Sequence, residues 1–286
     1  MGAFDVFVAF ILGIVEGITE WLPVSSTGHM ILVNQFLSFS DKEFQTMFLV
    51  VVQLGAIIAV VILFWNKIFP FNFHPNPRKD ETFVKMDVVM LWVKIIIACV
   101  PAAIVGVLWD DLIDEIFYNQ LVVAGALILY GILFIIIETW NKGKRPLIRT
   151  VHEIDYKTVI FIGIFQLLAA IIPGTSRSGA TIIGALILGV SRSAAAEFTF
   201  YLAVPVMFGA SLLKIVKSVL HGLSYGPMQI LTLFIGMFVA FVVSLFVIKF
   251  MMKYIRKHDF KVFGYYRIIL GVIVLIYFAA TGAKPV

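Results

Sequence analysis

The chain has 286 residues, of which 61% are hydrophobic and 14% charged, and its formal net charge is +5. A soluble domain carries about 25% charged residues, so the composition excludes an ordinary water-soluble fold and points to a membrane protein. No basic stretch is interleaved with aromatics, so no nucleic-acid partner is expected, and a single cysteine, Cys99, excludes an intramolecular disulfide.

A span needs about 20 apolar residues as a helix, and backbone groups in hydrocarbon must pair internally. The apolar runs here are continuous rather than alternating in tens, which predicts helices, not a barrel. In chain order, region 5–38 is apolar but broken by Pro23 and the polar run around it. Residues 1–22 do not read as a signal peptide, because a basic start is missing and Asp5, Glu16 and Glu20 interrupt the run. Full spans are predicted near 44–65, 88–109 and 119–139. Region 158–189 is again broken, by Pro173, and spans follow near 197–217, 228–250 and 264–281. Each broken region reads as a helix, a tight polar loop and a second short helix, a re-entrant hairpin that must be shielded by protein or line a cavity.

Basic loops set orientation. Lys67, Arg78, Lys79 and Lys85 in 66–87, Lys142, Lys144, Arg145, Arg149 and Lys157 in 140–157, and Lys249, Lys253, Arg256, Lys257 and Lys261 in 249–261 mark these segments as cytoplasmic. Segment 110–118 has only acids (Asp110, Asp111, Asp114, Glu115) and 218–227 only His221, so both belong outside, although Lys214 and Lys217 oppose the second assignment. The two hairpins then enter from opposite faces. Pro23-Val24-Ser25-Ser26 aligns with Pro173-Gly174-Thr175-Ser176, Glu43-Phe44 with Glu197-Phe198, and Gly55-Ala56 with Gly209-Ala210. The expected fold is an all-α integral membrane protein, a single membrane domain over 1–286. It has six transmembrane helices plus two re-entrant helical hairpins, arranged as two inverted-topology repeats, 1–140 and 150–286. Such repeats place a binding site near the midplane.

Glu16 and Glu20, four residues apart, share a helix face inside an apolar run, where carboxylates are costly and point to function. They suit a divalent cation, or a shared proton between like charges, or a pair satisfied by loop hydroxyls and backbone. Ser25, Ser26 and Thr27 precede His29, the one histidine in an apolar segment. With a helix starting near Ser25 or Ser26, Ser26 and His29 fall on one face, as a nucleophile with its base or a base that activates water; a packing role for His29 and a capping role for Ser25 are the plainer alternatives. In Pro173-Gly174-Thr175-Ser176-Arg177-Ser178-Gly179-Ala180-Thr181, small residues precede an expected helix start, whose free amides bind anions. Arg177 is the one arginine expected deep in the membrane, placed to grip phosphate bidentately or to pair with Glu16 or Glu20. Glu197, Arg267, Gln53 and Gln166 read as interfacial or interhelical partners, and Trp21 as packing. Acids, hydroxyls, a base and an anion clamp fit a phosphate-bearing lipid, but leave hydrolysis, transport and lipid binding without chemistry all open.

The stretches Glu16–His29 and Pro173–Thr181 resemble the two signatures of the bacitracin-resistance family of undecaprenyl-diphosphatases, and Gln53-Leu54-Gly55-Ala56 and Glu197–Pro205 look like further landmarks of it. The resemblance implies hydrolysis of undecaprenyl diphosphate to undecaprenyl phosphate and inorganic phosphate, and bacitracin resistance. It also implies a multi-pass protein of the bacterial plasma membrane with an extracytoplasmic site, dependent on Mg²⁺ or Ca²⁺; a homodimer is compatible with it. Carried over by position, it implies a catalytic role for Glu16, Glu20, Ser26 and His29, with the two glutamates also at the metal. It further implies phosphate binding by Arg177, with Ser25, Thr27, Ser176 and Ser178 at flanking motif positions. Type 2 phosphatidic acid phosphatases require a histidine six residues after a Ser-Arg; Ile183 and Phe198 stand there instead.

Overall fold

The structure, a computed structural model, describes residues 2–73, 82–117 and 119–281, and within these not the side chains of 110, 111, 114 and 115. Arg78 and Lys79, two of the orienting bases, therefore lie outside the described residues, as do the side chains of Asp110, Asp111, Asp114 and Glu115. Twelve α-helices follow in order: α1 Ala3–Thr19, α2 Ser26–Asn34, α3 Lys42–Val51, α4 Gln53–Leu63, α5 Trp65–Ile68, α6 Met86–Phe117, α7 Gln120–Trp140, α8 Tyr156–Ile171, α9 Arg177–Ile187, α10 Arg192–Leu220, α11 Pro227–Ile255 and α12 Lys261–Thr281. Among the described residues no strand forms, only isolated bridges.

The helix starts have local causes. Side chains of Asp41, Asn119, Asp155 and Ser191 accept the otherwise orphaned amides at the starts of α3, α7, α8 and α10. The cap at Ser191 lets α10 begin at Arg192, earlier than its apolar run predicts, because the intervening Ala194–Ala196 are strong helix formers. Among the described residues six stretches are long and apolar enough to cross a membrane: Lys42–Leu63, Met86–Trp109, Gln120–Trp140, Arg192–Leu220, Pro227–Ile255 and Lys261–Thr281. These match the six predicted spans. The third helix of this set, α7, packs on α12, while Trp109 leaves helical geometry (φ −132°, ψ 15°) and closes the second span. On α11, Phe234, Phe238, Phe246 and Phe250 are 56–71% exposed, an outward apolar surface that water would not tolerate.

Helix pairs meet where glycine removes the side chain, as membrane bundles favour. A Cβ on Gly13 or Gly17 of α1 would stand 2.6 or 2.8 Å from the Gly236 or Ala240 carbonyl of α11. One on Gly163 of α8 would stand 2.9 Å from the Ala98 carbonyl of α6. Gly131 of α7 and Gly264 of α12 oppose one another reciprocally, each 2.7 Å from the other's carbonyl by the same measure. Gln166 of α8 donates to the Ala98 carbonyl at 3.2 Å, the interhelical bond expected of it, whereas Gln53 reaches only the Leu49 carbonyl one turn back, at 3.5 Å. Glu197 accepts from Lys67 at 2.9 Å and from the Tyr201 hydroxyl, so it is an interhelical partner as expected. Trp21 is fully buried with its ring edge-on to Phe200 at 5.3 Å, which seats the turn after α1 in the main core.

Candidate active site

The turn between α1 and α2 and the turn between α8 and α9 are built alike. Ser25 (φ 72°) and Ser176 (φ 68°) are the two non-glycine residues with left-handed backbone among the described residues. That conformation costs a β-carbon-bearing residue of order 1–3 kcal/mol and clusters at functional sites. Each serine caps the helix that follows: Ser25 Oγ accepts the Gly28 amide at 3.3 Å and Ser176 Oγ the Gly179 amide at 3.2 Å. The sequence motifs align Ser26 with Ser176, but the structurally equivalent cap is Ser25, so Ser26 and Arg177 are the matching first helical residues. The second short helix starts within its motif, at Arg177, rather than after it.

The two elbows touch. Arg177 Nη2 donates to Glu20 Oε1 at 2.9 Å, with both side chains about nine-tenths buried, and Nη1 donates to the Thr199 carbonyl at 3.2 Å. Ser26 donates its hydroxyl to the other oxygen of Glu20 at 2.8 Å. Ser178 donates to the Glu20 backbone carbonyl at 3.2 Å and lies 3.2 Å from Ser176 Oγ. Thr181 and Thr199 share a hydrogen bond at 2.9 Å behind the guanidinium. Glu20 is thus the junction: it holds the hydroxyl of one elbow and the cation of the other. Thr27 lies on the first turn of α2, partly exposed.

His29, on the same short helix as Ser26, is turned elsewhere. Its Nδ1 is 2.7 Å from the Ser25 carbonyl and its Nε2 is 2.7 Å from the Tyr266 hydroxyl. Among the described residues no hydrogen bond joins His29 to Ser26. The Ser25 carbonyl therefore orients the ring, and Tyr266 of α12 covers the nitrogen that would face a ligand.

Arg267, the next residue, overturns the expectation that Arg177 is the one deeply placed arginine. Its side chain is fully buried. It donates to the Pro23 carbonyl of the first elbow at 3.3 Å, and to the Gly174 and Thr175 carbonyls of the second at 3.0 and 2.8 Å. One guanidinium, over the ring of Tyr130 at 5.8 Å, pins both turns together without a carboxylate. The one sequence signal for it is a cation three residues beyond Gly264 in an apolar run, which is costly unless buried among partners. Glu138 carries no such signal; buried at the end of α7, it accepts Arg192 and the Phe260 amide.

Among the described residues no group of three or more His, Cys, Asp or Glu side chains gathers to hold a metal ion. Glu16 Oε1 is nevertheless buried without a hydrogen-bond partner, one helical turn from Glu20. An orphaned carboxylate oxygen beside a second carboxylate fits a hard cation that takes its remaining oxygens from phosphate and water, as Mg²⁺ commonly does.

The family model described as "Bacitracin resistance protein BacA" matches residues 9–273. The chain is 57% identical over 281 residues to the undecaprenyl-diphosphatase of Desulfitobacterium hafniense (strain DSM 10664 / DCB-2), covering 98% of each chain. It is 58% identical over 275 residues to undecaprenyl-diphosphatase 1 of Clostridium acetobutylicum, covering 96% of this chain and 97% of that one. It is also 56% identical over 273 residues to an undecaprenyl-diphosphatase of Enterococcus faecalis, covering 95% and 96%. With the family match running through both serine-capped elbows and five apolar spans and into the sixth, the chain belongs to the bacitracin resistance protein BacA family.

Proposed function

We propose that the chain hydrolyses undecaprenyl diphosphate to undecaprenyl phosphate and inorganic phosphate, in the bacterial plasma membrane, and thereby confers bacitracin resistance. The observation that carries this reading is Glu20 holding the Ser26 hydroxyl and the Arg177 guanidinium at once, with relatives of that activity at 56–58% identity. The diphosphate enters between the elbows and takes Arg177 from Glu20, since a guanidinium fork matches phosphate oxygens. Glu20 then keeps Ser26 on one oxygen, the other being freed, and receives its proton. Ser26 Oγ bonds to the terminal phosphorus, the bond from that phosphorus to the bridging oxygen breaks, and undecaprenyl phosphate leaves. His29, released from Tyr266, takes a proton from the water whose oxygen bonds to the phosphoserine phosphorus; the bond from phosphorus to Ser26 Oγ breaks, Glu20 returns its proton to that oxygen, and His29 gives its own to the departing phosphate. Arg177, Ser178 and the amide-rich starts of α2 and α9 hold the charge that builds on the transferred group. Glu16 and Glu20 would hold a divalent cation, Mg²⁺ or Ca²⁺, which supplies charge neutralisation at the diphosphate.

The helix pairs α1–α2 and α8–α9 act as re-entrant hairpins of two inverted repeats, 1–140 and 150–286. Support comes from the packing: α1 lies on α11 as α8 lies on α6, and α4 on α11 as α10 on α6, while α7–α12 and α4–α10 pair across the two halves. These are the exchanges a pseudo-two-fold axis produces. The basic loops at 66–87, 140–157 and 249–261 support an extracytoplasmic position for the first elbow.

Purified protein in detergent is expected to release phosphate from undecaprenyl diphosphate with multiple turnovers, and a chelator to abolish the release. A carrier would release none, because it needs two compartments. Release that a chelator leaves untouched would remove the cation from Glu16 and Glu20 while leaving the hydrolysis standing.

A further inference from the structure

We propose a second anion site, for the headgroup of an anionic membrane phospholipid, at the end of α9 away from the elbow. A cavity of about 660 Å³ opens there, within the range of small-molecule sites. The eleven residues of α9, at about 1.5 Å rise each, separate it from Arg177 by roughly 15 Å, so it is not the site described above.

Its walls are built. The Leu147 amide donates to the Gly189 carbonyl at 2.9 Å and the Ser191 amide to the Ile148 carbonyl at 2.8 Å, which clips the 140–157 loop onto the turn after α9. Asn141 donates to the Leu186 carbonyl at 3.1 Å, covering one of the partial negative charges at the C-terminus of α9.

Lys144, Arg145, Arg192 and Arg256 line the cavity together with one carboxylate, Glu138. That carboxylate is already taken, by the guanidinium of Arg192 and the Phe260 amide. Among the described residues Arg145 and Arg256 form no ion pair, and the ammonium of Lys144 lies 3.7 Å from the Trp140 ring centroid. The orientation rule accounts for bases at this end of the bundle, but not for Lys144, Arg145 and Arg256 lining one cavity with none of them in an ion pair among the described residues. Arg256 also lines a neighbouring cavity of about 580 Å³, with Lys249 and Lys253, so the positive field continues sideways.

The exposed part of the lining mixes charge with apolar surface: Leu147 is 82% exposed and Trp140 54%, beside the exposed Lys144 and Arg145. Cations and exposed apolar side chains lining one cavity suit an amphiphile whose phosphate sits inside and whose chains stay in lipid, the arrangement by which basic pockets between membrane helices hold anionic headgroups. A free phosphate would use the cations and leave the exposed Leu147 and Trp140 unexplained.

The test uses the full-length protein in neutral detergent and reads its Tm, so it does not depend on catalysis. Phosphatidylglycerol is expected to raise Tm by about 2–4 °C, on the order of a 1 kcal/mol linkage effect, while phosphatidylcholine and inorganic phosphate do not. Arg145→Gln combined with Arg256→Gln is expected to remove at least half of the rise while keeping the Tm in phosphatidylcholine and the rate of phosphate release. Lys142→Gln combined with Lys157→Gln, the same charge change outside the cavity, is expected to keep the rise. The proposal is overturned by a missing rise with phosphatidylglycerol, by an equal rise with inorganic phosphate, or by the two double variants behaving alike.

Discussion

Arg177→Lys is expected to lower phosphate release about 100-fold, with Tm close to that of the unsubstituted protein. Removing one preorganised donor from a developing oxyanion costs roughly 10²–10³ in kcat, and a point ammonium cannot reproduce the planar fork that two phosphate oxygens need. The fold is spared because lysine can still reach Glu20 and the turn itself is held by Ser176 and Arg267, not by Arg177. The measurement is steady-state phosphate release at saturating cation. Near-normal kcat in the lysine variant would take Arg177 out of the transition state and leave it a structural partner of Glu20.

Arg267→Met is expected to lower Tm by about 10 °C and to abolish activity with it. The guanidinium is fully buried and satisfies carbonyls of Pro23, Gly174 and Thr175. Each buried acceptor left without a donor costs about 1–3 kcal/mol, and a loss of roughly 3 kcal/mol in a chain of this size corresponds to about 10 °C. Methionine fills most of the volume, so a cavity is not the cause. Arg267→Lys should fall between, because one ammonium can serve one elbow but not span both. The contrast separates the two arginines: position 177 is expected to lose rate without stability, and position 267 to lose both. A methionine variant with unchanged Tm would mean that the elbows hold their positions without the clip.

The six spans were legible because a run of apolar residues about 20 long has one stable use. The elbows were legible for the opposite reason: carboxylates, hydroxyls and arginine inside such runs carry a cost that only function or burial repays. Ser25 illustrates the boundary. Its capping role follows from a hydroxyl before a helix, but its left-handed backbone, and hence its equivalence to Ser176 rather than Ser26's, depends on the turn's three-dimensional path. The pairing of Ser26 with Glu20 instead of His29 was hidden for a similar reason. The spacing of three allows Ser26 and His29 one face, whereas Glu20 reaches Ser26 only because the chain reverses between them. Tyr266 was out of reach altogether, and for Arg267 a partner role was legible but not its partners: nothing local to α12 announces that the two turns, more than 90 residues away along the chain, will lie against it.

In the proposed reaction both elbows hold one phosphate group, and a double-mutant cycle tests this. The affinity for a non-hydrolysable prenyl diphosphonate would be measured in His29→Ala, Arg177→Lys and the double variant. His29 and Arg177 share no partner among the described residues, so coupling between them must pass through the ligand. A coupling of about 1 kcal/mol or more is expected; losses that add to within about 0.5 kcal/mol would mean that the two elbows do not share the group.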